Sequence, residues 1–539
     1  MRFSAAYLSN LSKYISRDLD RAWIKVTLRY SLLGGALLAA AWMIYFALVT
    51  ISMPYPIEYR EAATQVTTQY LLEGKNPYAL ENQPVAMNNN GIVYNLFALP
   101  LAALFGNTLL VHRVVTFVFI LLCGALAFRS SFASNKDVGL ATVCGELVVM
   151  ALGAMGGLGV FSSSTGAFFF LMAIIIPCRR SFDNRGLILS AILSLLAFYT
   201  KPYFVLSFAI VFSYVFVFHS KKKALLFGLL FALMSFVSFL LVRAIFPFYF
   251  IYTILSNVSN ATRDMSYAFD QMRELVVEFY PSIILASVVV AAAFAATLPG
   301  ISTRNELFLR SNLLVLDRPL ISRRLNYSAY ALCSTTLAFV FILGPHRGAV
   351  MTYSYQLVLP PFFIWLCGEL RPQSRLALLS IPLLLFNVFT FAGERFDPRF
   401  LEQNSSKQWA RLYEYVAGSD HILNSPIIVP AMIRNGIPPV NSGKNEYFWN
   451  IHPYPPVELI GPDYSIILGI RDRYDESIDT ALAGSEYDKV ISVPGLDFFI
   501  RNRHLKQHYV VVDHFQVPMP QTDQYLTVNI WEPIVESTK

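Results

Sequence analysis

The sequence predicts a polytopic α-helical membrane protein with about 11 transmembrane helices, followed by a C-terminal soluble α/β domain. Of its 539 residues, 55% are hydrophobic and only 14% are charged, and the mean hydropathy is +0.49. Soluble proteins rarely have this composition. Apolar segments recur along most of the chain with basic clusters between them, and short β-rich runs follow near the end.

The N-terminal segment, residues 1–29, mixes Lys and Arg with Leu, Ile, Trp and Val. This pattern predicts an amphipathic helix on the cytoplasmic surface of the membrane. The first apolar segment, residues 30–52, is long enough to cross a bilayer. Because so many polar and basic residues precede it, we expect a signal anchor and not a cleaved signal peptide.

The later apolar segments are separated by loops rich in Lys and Arg, which the positive-inside rule places in the cytoplasm. All of these basic loops fall on the cytoplasmic side only if residues 92–105 do not cross the membrane. That segment is also short, so we expect an interfacial helix on the outer side. The later segments are residues 108–128, 138–153, 158–177, 186–200, 202–218, 224–245, 281–298, 327–344, 350–367 and 376–392.

After the cytoplasmic N-terminus, these assignments give a transmembrane domain at residues 30–392, with its first outer loop at 53–107. The tail, residues 393–539, is expected outside the cytoplasm. Alternating strand and helix patterns predict that it is a small α/β domain. Strands are expected at residues 427–429, 465–468, 490–493, 510–512 and 526–530, and helices at 409–416, 476–482 and 496–503.

The net charge of +7 does not indicate nucleic-acid binding, because Lys and Arg lie mostly in short loops between apolar segments. In such loops they set membrane orientation. The five cysteines lie in or beside apolar segments, and none has the spacing of metal ligands. We therefore expect neither a disulfide framework nor a cysteine metal site.

Glu58 follows the first apolar segment by a few residues, in the run Tyr55-Pro56-Ile57-Glu58-Tyr59-Arg60-Glu61. A carboxylate held at the membrane surface among aromatic side chains can act as a general base. The alternative is a solvated loop acid that pairs with Arg60 or Arg113. Glu61 competes for the same role, but its position favours an acid on the surface of a helix.

Several stretches of the chain resemble a known superfamily. Glu58 is followed by Gly74-x-Asn76-Pro77-Tyr78, Thr200-Lys201-Pro202 lies at the tip of a predicted outer hairpin, and a second hairpin runs from Gly344 to Tyr353. In order, spacing and placement on the outer side, these stretches resemble the GT-C superfamily of glycosyltransferases. The resemblance covers roughly residues 30–400.

The resemblance implies a bacterial enzyme that transfers a sugar from a polyprenyl-phosphate carrier to an acceptor hydroxyl outside the cytoplasm. In this superfamily the first outer loop supplies an Asp or Glu that deprotonates the acceptor, and Glu58 is the matching acid. Many members have two acids in tandem, whereas Glu58 has no tandem partner. A lone carboxylate makes a poor Mg²⁺ or Mn²⁺ site, so we predict no metal and no other cofactor.

The other candidate residues would bind the donor. A cation at an outer hairpin tip suits the carrier phosphate and would neutralise the charge that develops on it. A tyrosine near the base could stack against a sugar ring. The alternatives are basic residues that reach lipid headgroups and aromatic residues of an interfacial belt or core. The phosphate candidates are Lys201, Arg347, His346 and, more weakly, Arg113, and the aromatic candidates are Tyr59, Tyr78 and Tyr94.

A single displacement with inversion is expected, since one base without a second nearby carboxylate fits inversion. The expected partners are a polyprenyl-phosphate-linked hexose or pentose, a glycan, lipid or protein acceptor, and the lipid of the bacterial inner membrane. One alternative is a transporter or flippase of lipid-linked sugar that depends on Glu146, an acid within an apolar segment. The other is a polysaccharide polymerase or ligase with a diphosphate-linked donor.

Overall fold

The computed structural model describes residues 22–154, 159–259, 264–295, 323–345, 354–370, 375–395, 403–443, 464–519 and 524–534. Its α-helices are α1 (Ala22–Ser52), α2 (Glu61–Leu72), α3 (Val93–Phe105), α4 (Leu109–Asn135), α5 (Val138–Ala154), α6 (Ser163–Arg179), α7 (Asn184–Phe198), α8 (Leu206–Phe218), α9 (Lys221–Ile245), α10 (Ser256–Ser259), α11 (Met265–Glu278), α12 (Tyr280–Ala295), α13 (Arg323–Ala338), α14 (Leu359–Glu369), α15 (Arg375–Arg395), α16 (Gln403–Ala417), α17 (Val429–Arg434), α18 (Tyr464–Ala483) and α19 (Arg503–His508). Short π-helical turns at Ile251–Leu255, Phe339–Leu343 and Ser354–Val358 adjoin α10, α13 and α14.

Each predicted apolar segment contains a helix within its described part. Three of these helices are long and apolar enough to cross a membrane by themselves, namely Tyr30–Ser52, Leu109–Asn135 and Lys221–Ile245. A fourth span is possible if α11 and α12, which meet at 91°, act together. The other apolar helices among the described residues are shorter, so the number of 11 spans stays a prediction.

The helix α3 has the length expected of a segment that does not cross. Its 13 residues extend about 20 Å, less than the ~30 Å hydrocarbon core. It ends at Gly106, whose φ of +85° breaks the helical path. Its position relative to a membrane stays a prediction.

Small residues let neighbouring helices approach closely in the bundle. A Cβ atom on Gly124 of α4 would lie 2.3 Å from Val149 of α5, and one on Gly145 would lie 3.0 Å from the Gly124 carbonyl oxygen. In a lipid bilayer the hydrophobic effect does not drive helices together, so close van der Waals contacts of this kind supply the attraction between them.

The C-terminal part contains a four-stranded sheet in the order β1-β2-β4-β3, formed by β1 (Ile422–Asn424), β2 (Lys489–Ser492), β3 (Tyr509–Met519) and β4 (Gln524–Pro533). The strands β1 and β2 are parallel and the other pairs antiparallel. The strand predictions at 490–493, 510–512 and 526–530 are confirmed, although β3 extends well beyond the predicted 510–512, to Met519. The helix predictions at 409–416 and 476–482 are also confirmed.

Two strand predictions in this part are wrong. Residues 427–429 form the end of a 3₁₀ turn, Pro426–Ile428, and the start of α17, because prolines at the first helical positions favour a helical start. Residues 465–468 begin α18, since a short apolar run does not distinguish a strand from a buried helical turn. The helix predicted at 496–503 is a 3₁₀ turn, Phe498–Arg501, followed by α19.

Candidate active site

Glu58 lies in the loop between α1 and α2, and its side chain is 11% exposed. The Arg60 guanidinium pairs with Glu58 Oε1, and the Arg60 backbone N–H donates to Oε2 at 3.1 Å. The Arg60 side chain is half exposed. Arg60 is the solvent-facing partner of this pair, so it is the side chain that would move to admit a hydroxyl to Glu58.

Glu61 is fully buried at the first turn of α2, so the expectation of a helix-surface acid was wrong. Its carboxylate accepts two bonds from Arg113, at 3.0 and 2.8 Å. It also accepts the backbone N–H groups of Ile57 at 2.8 Å and Val160 at 2.6 Å. The negative charge of Glu61 and both of its oxygens therefore have partners, which offset the cost of burying the carboxylate.

Arg113 is equally buried, and each of its three guanidinium nitrogens is engaged. Beyond Glu61, it donates to the carbonyl oxygens of Thr50, Met53 and Tyr55 at 3.1, 2.7 and 2.8 Å. These carbonyls belong to the end of α1 and the start of the Glu58 loop. In this structure Arg113 therefore holds the loop in place and is not exposed to a donor phosphate.

Lys201 lies near the same buried pair, although it is distant in sequence. Its Nζ atom is 5.5 Å from the centre of the Phe161 ring and 5.9 Å from that of Tyr203. Phe161 directly follows Val160, which donates to Glu61. The Glu58 loop and the Lys201 hairpin thus meet at one end of the helical bundle. Phe161 was missed by the sequence analysis, since no spacing joins it to Lys201.

The asparagine-rich run of the first loop fixes the Lys201 hairpin. Gly91 N–H donates to the Thr200 carbonyl at 2.8 Å, and the Tyr249 hydroxyl donates to the Tyr199 carbonyl at 3.1 Å. A Cβ atom on Gly91 would lie 1.8 Å from the Tyr199 oxygen, so only glycine permits this approach. Asn89 adds a bond to Asn257 at 2.9 Å.

Two of the three candidate tyrosines are packed in the core. The Tyr78 hydroxyl donates to the Asn90 carbonyl at 3.2 Å, and burial raises the pKa of Tyr78 well above its usual value. The Tyr94 hydroxyl donates to the His112 carbonyl at 2.7 Å. Both rings are at most 1% exposed, so a sugar cannot reach them in this structure. Tyr59 is partly exposed and lies under the Arg60 guanidinium, 5.5 Å from its ring centre.

The C-terminal part packs directly on the Glu58 loop. The ring of Trp409 on α16 stacks on Tyr55 with 5.3 Å between centroids and 2° between planes. The Tyr413 hydroxyl donates to the Pro54 carbonyl at 3.4 Å. Val429 of α17 joins Ala62 and Val66 of α2 in a small buried cluster. The loop is therefore enclosed between the helical bundle and the C-terminal part.

Of the remaining candidates, His346 and Arg347 lie outside the described residues. Glu146 lies buried in α5, and neither carboxylate oxygen has a hydrogen-bond partner among the described residues. Within the same part of the chain, no group of three His, Cys, Asp or Glu side chains is placed to hold a metal ion.

No protein-family model matches the chain, and no curated protein matches it. Among solved structures, the crystal structure of ArnT from Cupriavidus metallidurans bound to undecaprenyl phosphate aligns with a TM-score of 0.54 at 13% identity. The alignment covers 92% of this chain and 98% of that one. The chain has an ArnT-like fold. The apo state of the same ArnT aligns over the same shares with a TM-score of 0.45 at 11% identity. The ArnT-like fold agrees with the architecture that the GT-C resemblance implied.

Proposed function

We propose that this protein is an integral membrane glycosyltransferase of the GT-C type. It moves a hexose or pentose from a polyprenyl-phosphate carrier to a hydroxyl of a glycan, lipid or protein. The reaction takes place on the extracytoplasmic side of the bacterial inner membrane, with inversion at the anomeric carbon and without a metal cofactor.

The observation that supports this proposal most is that the Glu58 loop and the Lys201 hairpin meet at one end of an ArnT-like bundle. The buried pair of Glu61 and Arg113 positions both, because it anchors the Glu58 loop on one side and Val160-Phe161 on the other. An acid for the acceptor and a cation for the carrier phosphate are the two groups that such a transfer needs. The ArnT structure with this fold holds undecaprenyl phosphate, a carrier of the proposed class.

In the proposed reaction, the Glu58 carboxylate takes the proton of the acceptor hydroxyl. The acceptor oxygen forms a bond to the anomeric carbon from the side opposite the carrier phosphate. The bond between that carbon and the phosphate oxygen breaks, and its electron pair leaves with the polyprenyl phosphate. Lys201, with Arg347 and His346, would stabilise the negative charge that develops on the leaving phosphate. Tyr59 is the one candidate tyrosine with exposed surface beside Glu58.

The proposal is tested with the purified full chain in nanodiscs and a panel of radiolabelled donors. We expect transfer from a sugar on undecaprenyl monophosphate, and none from the matching diphosphate-linked or nucleotide sugars. We expect Lys201→Met to weaken undecaprenyl phosphate binding about tenfold or more, because it removes a charge-assisted contact. Lys75→Met is the matched control, since Lys75 is exposed, follows α2 in the first outer loop away from the Lys201 hairpin, and pairs with Glu73. Transfer only from the diphosphate donor would instead support a polymerase or ligase.

One observation favours a transporter as a second candidate, namely the buried Glu146 carboxylate without a hydrogen-bond partner among the described residues. Unpartnered acids inside apolar helices often serve ion or proton paths. A transporter predicts movement of the lipid-linked sugar across sealed vesicles without new glycosidic bonds, and loss of that movement in Glu146→Gln. Sugar transfer that survives Glu146→Gln would contradict this candidate.

A further inference from the structure

A cleft opens between α4, α6, α13 and α14 at the end of the bundle remote from Glu58. The space between its walls, counted together with the part open to solvent, is about 570 Å³. Arg113 and Ser130 lie 17 residues apart on α4, so the cleft begins about 25 Å from the candidate active site. The proposed transfer reaction uses none of its side chains. The lining comprises Ser130, Ala133, Ser134, Ile174, Ile175, Cys178, Arg179, Tyr327, Ser328, Ala331, Pro361 and Ile364.

The inner part of the cleft is lined by hydrocarbon. Ile174 and Ile175 come from α6, Ala331 from α13, and Pro361 and Ile364 from α14. Binding of an apolar ligand in this part would be favourable, because the apolar surfaces of the ligand and of these side chains would be removed from water or headgroups. The chemistry fits an alkyl or acyl chain and does not fit a small polar solute.

The mouth of the cleft is polar and positively charged. The Arg179 guanidinium donates to the Ser130 hydroxyl at 3.2 Å, and Ser134 and Ser328 add two further hydroxyl groups. The Tyr327 side chain is 3% exposed, and its hydroxyl has no hydrogen-bond partner among the described residues. A buried hydroxyl without a partner is costly, so a ligand oxygen that accepts its proton would be stabilised.

The surface around the mouth is basic. Exposed Arg129, Lys136, Arg180 and Arg185 lie at the same ends of α4, α6 and α7. Three acids lie at this end as well: Asp183 pairs with Arg180 at 2.9 Å, Asp137 accepts the Leu140 N–H at 3.0 Å, and Glu369 ends α14. They are outnumbered by the five bases Arg129, Lys136, Arg179, Arg180 and Arg185. The local field therefore favours an anionic headgroup over a zwitterionic one.

We propose that this cleft binds one anionic phospholipid. Its acyl chain occupies the space between Ile174, Ala331 and Ile364, and its phosphate lies at the mouth beside Arg179, Ser130 and the Tyr327 hydroxyl. The lipid comes from the leaflet that meets the basic end of the bundle. This assignment does not depend on the proposed sugar transfer.

The test uses delipidated full-length protein and native mass spectrometry with four probes: phosphatidylglycerol, phosphatidylcholine, undecaprenyl phosphate and inorganic phosphate. We expect one phosphatidylglycerol to bind in preference to the other three. Arg179→Gln should weaken that binding about tenfold or more, since a charge-assisted contact is lost. Ser134→Trp, which fills the exposed mouth without touching the buried core, should abolish it.

The matched control is Arg180→Gln, because Arg180 is exposed next to Arg179 but does not line the cleft. Equal loss in Arg179→Gln and Arg180→Gln would overturn the proposal in favour of general attraction to a basic surface. Equal binding of phosphatidylcholine would show that the negative charge of the headgroup is not recognised. Competition by inorganic phosphate would show that the cleft is a site for free phosphate. Tighter binding of undecaprenyl phosphate would show that its ligand is a polyprenyl carrier.

Discussion

Glu58 and Glu61 lie three residues apart, yet their surroundings suit them to different tasks. Glu58 lies near the surface with a half-exposed arginine as its partner, so it can exchange that partner for a substrate. Glu61 is buried in an ion pair with Arg113, and its carboxylate also accepts hydrogen bonds from two backbone N–H groups. Both Glu61 oxygens already accept two hydrogen bonds each inside the protein, so an acceptor hydroxyl cannot reach them in this structure. Glu61 therefore positions the loop, and Glu58 remains the candidate base.

The buried pair gives the first prediction. Arg113→Gln leaves the Glu61 carboxylate buried without its cation and should lower the free energy of unfolding by about 3–5 kcal/mol. Arg60→Gln, which removes the exposed partner of Glu58, should change it by less than about 1 kcal/mol. Thermal unfolding in one detergent measures both. Equal destabilisation by the two substitutions would show that the Glu61–Arg113 pair does not hold the loop.

The buried acid Asp497 gives a prediction about how stability depends on pH. It accepts the Val493 N–H at 2.6 Å and the Asn441 amide at 3.1 Å, and burial raises its pKa to about 8. An acid whose pKa is raised on folding contributes stability below its ordinary pKa, near 4, and that stability is lost as the pH rises to about 8.

We therefore expect the Tm of the wild type to fall relative to that of Asp497→Asn as the pH rises from 5 to 8.5. Asparagine has the shape of the acid and cannot ionise. Asp472→Asn, at an exposed position on α18, serves as the control and should follow the wild-type curve. Parallel curves for wild type and Asp497→Asn would rule out a titration at this site.

Between elements, the first loop and the Lys201 hairpin meet backbone to backbone at Gly91. Gly91→Ala would force the Tyr199 carbonyl away and move the hairpin that carries Lys201. We expect a loss of stability of about 1–3 kcal/mol, as for other overpacked sites, together with weaker binding of undecaprenyl phosphate. Gly34→Ala, whose added methyl group meets nothing within 4 Å, is the control. Unchanged binding of undecaprenyl phosphate in Gly91→Ala would show that the Lys201 hairpin is not part of the binding site.

The C-terminal part stabilises the Glu58 loop through the stacked rings of Tyr55 and Trp409. Trp409→Ala should cost about 3–5 kcal/mol, and a double-mutant cycle with Tyr55→Ala should give a coupling of about 0.5–1.5 kcal/mol. We also expect Trp409→Ala to slow sugar transfer more than it weakens carrier binding, because the Glu58 loop loses its outer support. A coupling near zero would mean that the C-terminal part folds independently of the loop.

The helices and the site differ in how far they could be predicted from sequence. Long apolar runs report membrane helices directly, so the segments at 108–128 and 224–245 lie within helices of the structure. The pairing of Glu61 with Arg113, 52 residues apart, leaves no periodic signal, and neither does the contact of Gly91 with Tyr199. Tyr78 and Tyr94 resemble binding residues in sequence, because packing in the core and stacking on a sugar favour the same side chain.

At the scale of the whole molecule, the bundle has two chemically different ends. One end joins Glu58, Lys201 and the C-terminal part around a buried ion pair. The other end is basic and contains the cleft beside Arg179. In the proposed orientation, sugar transfer occurs at the first end, outside the cytoplasm, and the second end faces the inner leaflet.

Glu58 is the proposed general base, and a comparison of wild type, Glu58→Gln and Glu73→Gln tests this assignment. Glutamine keeps the size of the side chain and removes the proton acceptor, while Glu73 is an acid at the C-terminal end of α2 that pairs with Lys75. We predict that Glu58→Gln binds undecaprenyl phosphate as the wild type does but transfers sugar roughly 10²–10⁴-fold more slowly. Glu73→Gln should transfer at the wild-type rate. Full transfer activity in Glu58→Gln would show that another group accepts the proton.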